Sequence, residues 1–254
     1  MNPTLPTISL LNLLVAFAPS VVLLVIMHRW SLKAVSAFYA NARMLVQLLA
    51  VGYVLTYVFE TDRPTLIVGV VLGMILVSAW IALRPLAHRG LGNYSLALVS
   101  ISASGLTMLV IVTQWVLELP RWFEPSFVVP LAGMIFANAM NTVSLAAERF
   151  ESERSRGENM FESRRVALDA SLIPQINGLL AVGIVSLPGM MTGQILSGIE
   201  PMVAVRYQIM VMCMVFGSGG LGAAAYLALQ GGRPQANPNC QPGEMECRDF
   251  RSKN

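Results

Sequence analysis

The chain has 254 residues, of which 55% are hydrophobic and only 12% charged, with a mean hydropathy of +0.63 and a net charge of +3. Soluble domains carry about 25% charged residues, so half that figure, together with several long uncharged runs, places the chain in the membrane class. Two lysines against fifteen arginines, with no basic patch interleaved with aromatics, argue against nucleic acid as a partner.

Roughly 20 apolar residues cross a bilayer as a helix, and seven segments meet or approach that length. The first, Ile8–Met27, follows an N-terminus without a basic region and is expected to be a retained span rather than a cleaved signal peptide. The second, Phe38–Phe59, carries Arg43 and Gln47 on one face at i,i+4. Arg43 lies about one turn into the run, where snorkelling to the surface accounts for it. Gln47 is deeper and is a candidate for a polar pathway. The third and fourth segments are Leu66–Leu83 and Tyr94–Leu117.

The fifth, Phe127–Ala147, reads "VPLAGMIFANAMNTVSL" near its centre. Gly133, Ala137 and Asn141 recur every four residues, as do Met134 and Asn138. Such a small-residue face lets another helix approach closely, and Asn138 and Asn141 would then glue helices or line a polar path.

After it comes "ERFESERSRGENMFESRRVALDA", Glu148 to Ala170, with five arginines and six acids compatible with one or two short helices. It is either a solvated connector laced with i,i+4 charge pairs or a docking surface for a cytosolic partner.

The sixth segment, Leu172–Leu196, is broken by "LPGMMTGQ". Pro188 removes a backbone donor and should kink or end the helix near Leu187. The continuing apolar run makes this either a helix end or a break facing a solute, since irregular backbone at membrane depth needs protein or a cavity around it. Met190, Met191 and Gln194 are the side chains such a break would present.

Glu200-Pro201 reads as a helix start, with an acid at the positive end of the dipole. Glu200 is also a candidate group at the outer mouth. The seventh segment, Tyr207–Leu229, carries Ser218/Gly222 and Gly219/Ala223 at close-packing spacing.

The positive residues alternate. His28, Arg29 and Lys33, then Arg84, His88 and Arg89, then the five arginines of 148–170 follow odd-numbered spans. The basic loops face the cytosol, which puts the N-terminus outside and the tail inside. The expected fold is an all-α integral membrane protein of about seven transmembrane helices. It comprises a permease domain over 1–229 and a disordered cytosolic tail over 230–254. Cys240 and Cys247 fall in that tail, and Cys213 lies in an apolar run, so no disulfide framework is implied.

Enzymatic constellations are lacking. No G-x-x-x-x-G-K-[ST] loop is present, and no histidine or well-buried carboxylate sits at membrane depth. The chain is therefore expected to hydrolyse no nucleotide by itself and to bind no cofactor.

The blocks "PLAGMIFANAMNTVSLA", "LIPQIN", "VGIVSLPGMMTGQILSGIEP" and "YQIMV", with "RMLVQLLAVGYVLTYVF" in the second span, resemble the FetB-type (YbbM-type) ABC transporter permeases. That bacterial group is associated with iron export, and its plant relatives with aluminium tolerance. The resemblance runs from about Arg43 to Leu229. It implies a permease of the bacterial inner membrane that works with a separate ABC ATPase subunit, draws on ATP through it, and pairs with a second copy of itself. The segment 148–170 would be the coupling element, with Arg154, Arg156, Arg164 and Arg165 facing the ATPase. The stretch before "LIPQIN" is shorter than the family pattern. Gln47, Asn138, Asn141, Met190, Met191 and Gln194 would form the substrate pathway for a metal ion or small solute. A membrane scaffold, or an ATP-independent channel or carrier, are the alternatives.

Overall fold

The computed structural model describes residues 9–59, 63–86 and 90–230. The expected tail beyond Gln230, with Cys240 and Cys247, lies outside the described residues, as do Glu60, Asp62, His88 and Arg89. The described residues are almost wholly helical: α1 Leu10–Ala16, α2 Ala18–Arg29, α3 Ala34–Phe59, α4 Pro64–Ala82, α5 Leu91–Val110, α6 Pro125–Ser155, α7 Met160–Ala181, α8 Gly189–Leu196 and α9 Pro201–Leu229. A π-helical turn, Ile111–Val116, prolongs α5.

Among the described residues, five helices are long and apolar enough to cross a membrane: α3 through Leu55, α4, α5 with its π-helical turn, α6 and α9. The expected first span is instead two short helices meeting at Phe17. Pro19 causes the break, because it lacks an N–H and its ring crowds the carbonyl four residues back.

α4, α5, α6 and α9 form the central bundle, α7 packs on α6 and α9, and α8 lies against α9. The contact faces are lined by small residues: Ala79, Ala97, Ala132, Ala139, Ala146 and Ala223 are all fully buried. Lipid is as apolar as leucine, so close van der Waals packing rather than water exclusion holds these helices together. Gly222 on α9 shows how close the approach is, for a Cβ there would come within 2.9 Å of Ser104 Oγ on α5. Buried hydroxyls are satisfied locally, Ser104 donating to the Ser100 carbonyl at 2.9 Å and Thr113 to the Leu109 carbonyl at 2.8 Å.

The segment 148–170 is not a loop. α6 runs unbroken to Ser155, and α7 begins at Met160, so the charged stretch forms the ends of a helical hairpin. At 1.5 Å per residue α6 is roughly 46 Å long, well beyond the ~30 Å hydrocarbon core, and its charged end therefore projects out of the apolar bundle. Gly157, at φ +88, closes α6, with Glu158 N–H donating to the Glu153 carbonyl and Gly157 N–H to the Arg154 carbonyl. This is the left-handed cap that glycine alone adopts without strain. Asn159 caps α7, its side chain accepting from the Glu162 N–H at 2.8 Å.

The break in the sixth segment also moves. α7 ends at Ala181, before Pro188, in a turn around Gly183 at φ +82. Pro188 is instead the residue that starts α8. Its fixed φ of −63 suits the entry to a helix, where its missing N–H is no loss. Pro174 lies inside α7 without ending it.

Candidate functional site

The polar residues of α6 and α7 converge on one cavity of about 230 Å³ between α6, α7 and α9. Asn138, Asn141 and Thr142 come from α6, Ser171 and Gln175 from α7, and Met212, Val215 and Phe216 close it from α9. The hydrogen bonds here have a fixed polarity. Asn138 Nδ2 donates to the Met134 carbonyl at 2.9 Å, and Thr142 Oγ1 donates to the Asn138 carbonyl at 2.9 Å. A hydroxyl has one proton, so Thr142, having given it to α6, can only accept from Gln175 Nε2. That turns Gln175 Oε1 away, and it is left buried without a partner among the described residues. The arrangement leaves an unpartnered, buried acceptor on a residue that lines the cavity.

Gly219 makes room for this contact, since a Cβ there would meet Gln175 Nε2 at 2.3 Å and Thr142 Oγ1 at 2.7 Å. Pro174, also on the cavity wall, removes the helix donor to the Ala170 carbonyl.

A second cavity, of about 350 Å³, lies towards the N-terminal ends of α6 and α9. Phe127, Pro130 and Met134 line it from α6, Tyr207 and Met210 from α9, and Met190 from α8. The two cavities follow one another along a single stripe of α6, Phe127–Pro130–Met134–Asn138–Asn141–Leu145. At 1.5 Å per residue this stripe covers about 27 Å, close to the hydrocarbon thickness of a bilayer. The small-residue face proposed for helix packing is in fact part of this open side. Gly133 has nothing near its Cβ position, and Ala137 and Asn141 are exposed.

Other expected site residues lie elsewhere. Gln47 is exposed on α3, which packs beside α2 and touches α6 only at its edge, so it joins neither cavity. In the amide orientation that satisfies both groups, Gln47 Oε1 accepts from Arg43 Nε and Nη2 at 3.3 Å each. Met191 and Gln194 are half-buried on α8 and line neither cavity, although Gln194 Oε1 is buried with no partner among the described residues. Glu200 is exposed and occupies the cap position of α9, where its backbone carbonyl accepts from Val203 and Ala204 while its side chain caps nothing. Gln175, Thr142 and Ser171 were not singled out from sequence. The signal lay in "LIPQIN", where a glutamine follows a proline in an apolar helix.

The four hairpin arginines expected to face an ATPase, Arg154, Arg156, Arg164 and Arg165, are engaged within the chain. Arg156 pairs with the buried Glu153 at 3.4 Å, a carboxylate also held by Arg149 at 2.8 Å. Arg154 donates to the Glu158 carbonyl. Arg165 grips Glu162 with two bonds of 2.6 and 3.0 Å. The hydrogen bond from Arg165 is the main cause that holds the Glu162 carboxyl below its ordinary pKa, and the same bond raises that of Arg165. Arg164 Nη2 donates to the Ala228 carbonyl at 3.1 Å, at the C-terminal end of α9. The start of α5 lies at that same end, with Gln230 Nε2 within 3.5 Å of Asn93 Oδ1. The hairpin, the start of α5 and the end of α9 thus share one end of the molecule. Phe161, beside the hairpin turn, is 76% exposed.

Residues 10–233 match the model of an uncharacterised protein family, UPF0014. The chain is 34% identical to the UPF0014 membrane protein slr1647 of Synechocystis over 205 residues, 75% of this chain and 79% of that protein. It is 31% identical to the probable iron export permease protein FetB of Escherichia coli over 234 residues, covering 85% and 89% of the two chains. It is 29% identical to the protein ALUMINUM SENSITIVE 3 of Arabidopsis thaliana over 195 residues, covering 71% and 70%. Each alignment runs over more positions than the share of this chain it covers, so these relatives carry residues that this chain lacks. No solved structure matches it.

Proposed function

The chain belongs to the UPF0014 family of membrane proteins, and from that premise we propose that it is the permease subunit of an ABC transporter that exports a metal ion, iron foremost. The reading is supported by its similarity to a probable iron export permease. The observation that carries it is the α6 stripe, where a carboxamide-lined cavity and an outer cleft together cover about the thickness of a bilayer.

In this reading α1 and α2 make the first crossing, and α7 with α8 makes the sixth, for seven in all. The N-terminus lies outside and the arginine-rich hairpin in the cytosol, as the positive-inside bias requires. The membrane is the bacterial inner membrane, and two copies of the chain work with two of an ABC ATPase. The chain contributes no nucleotide-hydrolysing site. Closure of the ATPase dimer moves the hairpin, and the rigid continuity of α6 and α7 carries that movement to the cavity they both line.

Co-expression with a candidate ABC ATPase tests this directly. The expected result is a stable complex whose ATP hydrolysis rises when the permease is present, and iron accumulation in cells that lack the permease. An ATPase that never binds, or whose hydrolysis is indifferent to this subunit, overturns the reading.

A further inference from the structure

Three methionines from three different helices line the outer cleft. Met134 on α6, Met190 on α8 and Met210 on α9 line the cavity of about 350 Å³, and all three are half-buried against the core. Methionine commonly fills gaps in apolar packing, but here the three side chains border unfilled space instead of closing it. Their neighbours do not share the placement: Met191 is outside the cleft, and Met212 lines the carboxamide cavity instead. The convergence depends on tertiary structure. Met190 reaches the cleft because α8 starts just after Pro188 and lies along α9.

The donor set restricts what could bind. Among the described residues no group of three or more His, Cys, Asp or Glu could hold a metal ion, so hard and borderline divalent ions have no anionic cage. Thioether sulfur is neutral and polarizable, and selects soft ions such as Cu(I). Neutral ligands also hold a monovalent ion loosely enough to release it, as a site on a conduction path must.

We propose that Met134, Met190 and Met210 form an outer thioether site for a soft monovalent cation of the Cu(I)/Ag(I) class. This goes beyond iron export and does not depend on it, because binding at this site needs neither ATP nor a partner subunit.

The test is a calorimetric titration of the full-length, detergent-purified protein with Ag(I) alone, a redox-stable stand-in for Cu(I). Cys213→Ser, Cys240→Ser and Cys247→Ser are present throughout to remove competing thiols. The expected result is saturable binding that weakens at least about tenfold in each of Met134→Leu, Met190→Leu and Met210→Leu, since even outer-shell partners of a metal are worth about 10–100-fold in affinity. Met→Leu conserves volume and should leave the fold intact. Met202→Leu, at an exposed position of α9 outside both cavities, should bind as the parent does. Unchanged affinity in the triple Met→Leu protein, or in all three single variants should the triple not elute as a single species, overturns the proposal. So does an equal loss in Met202→Leu. Neither ATPase nor iron is present, so failure of the export reading leaves this result standing, and the reverse.

Discussion

Gln175 donates its amide to the hydroxyl of Thr142, 33 positions earlier, and thereby leaves its own carbonyl oxygen buried without a partner. A buried polar atom of this kind costs about 1–3 kcal/mol, so it is retained at the expense of stability. Gln175→Leu removes that acceptor along with one ordinary hydrogen bond worth about 0.5–1.5 kcal/mol. Thermal stability should therefore hold or rise, while export, if the chain is the proposed permease, should fall severalfold. Transport at the parental rate by the stable variant would return Gln175 to a packing role.

Gly219 and Gly105 give opposite kinds of variant. A Cβ at Gly219 meets the flexible end of Gln175, which can swing aside, and the buried Thr142 hydroxyl at 2.7 Å, which must also shift. Gly219→Ala should cost the lost hydrogen bond, about 0.5–1.5 kcal/mol, plus that shift, yet impair transport by displacing Gln175 into the cavity. A Cβ at Gly105 instead meets the buried ring of Phe136 at 2.3 and 2.8 Å. Gly105→Ala should destabilise by about 1–3 kcal/mol through overpacking. Thermal unfolding and transport, measured side by side, separate the two.

Arg164 places a cation against the carbonyl end of α9. Charges at that end of a helix dipole contribute about 0.3–1 kcal/mol, less in high salt. Arg164→Ala should lower the unfolding midpoint modestly, and the difference from the parent should shrink at high ionic strength. A salt-independent loss would instead point to lost packing of the arginine stem.

Glu162 links the hairpin to pH. Arg165 holds its carboxyl below the ordinary pKa, so the folded hairpin binds the proton less readily than the unfolded chain. The stabilisation is complete above the unfolded carboxylate pKa and disappears as pH falls through the depressed folded value. Arg165 is exposed, so the effect is local. Amide exchange near the start of α7 should quicken below the normal carboxylate range in the parent, and show no such step in Glu162→Gln.

Phe161 offers an aromatic side chain at the hairpin tip, while the nearby arginines are occupied within the chain. If the hairpin couples to an ATPase, the docking energy should rest on this aromatic, as it does on interface hot spots. Phe161→Glu should weaken ATPase binding by about tenfold or more without lowering the unfolding midpoint of the isolated permease. Binding at parental affinity would place the docking surface elsewhere.

Hydropathy alone determined that the chain is helical and membrane-spanning, and it located the spans seen as α3, α4 and α5 to within a few residues, while α6 runs eight residues beyond its expected end and α9 starts six residues before its expected beginning. Small residues at four-residue spacing in α9 also forecast the close approach found at Gly219 and Gly222. These are local properties: transfer free energy is summed residue by residue along the chain, and small side chains allow near contact wherever they fall. Charge pairs at i,i+4 such as Arg149–Glu153 are compatible with short helices in 148–170, but the drop in hydropathy hid that α6 runs into them unbroken. Pro188 drew the break to itself, although Gly183 had already turned the chain at the end of α7. Only the tertiary structure decided which polar side chains share a cavity. It set Gln47 apart on α3, brought Gln175 to Thr142, and joined Met190 to Met134 and Met210 rather than to its neighbour Met191. Those partnerships depend on which faces of distant helices meet, and the order of residues along one strand of sequence does not contain that choice.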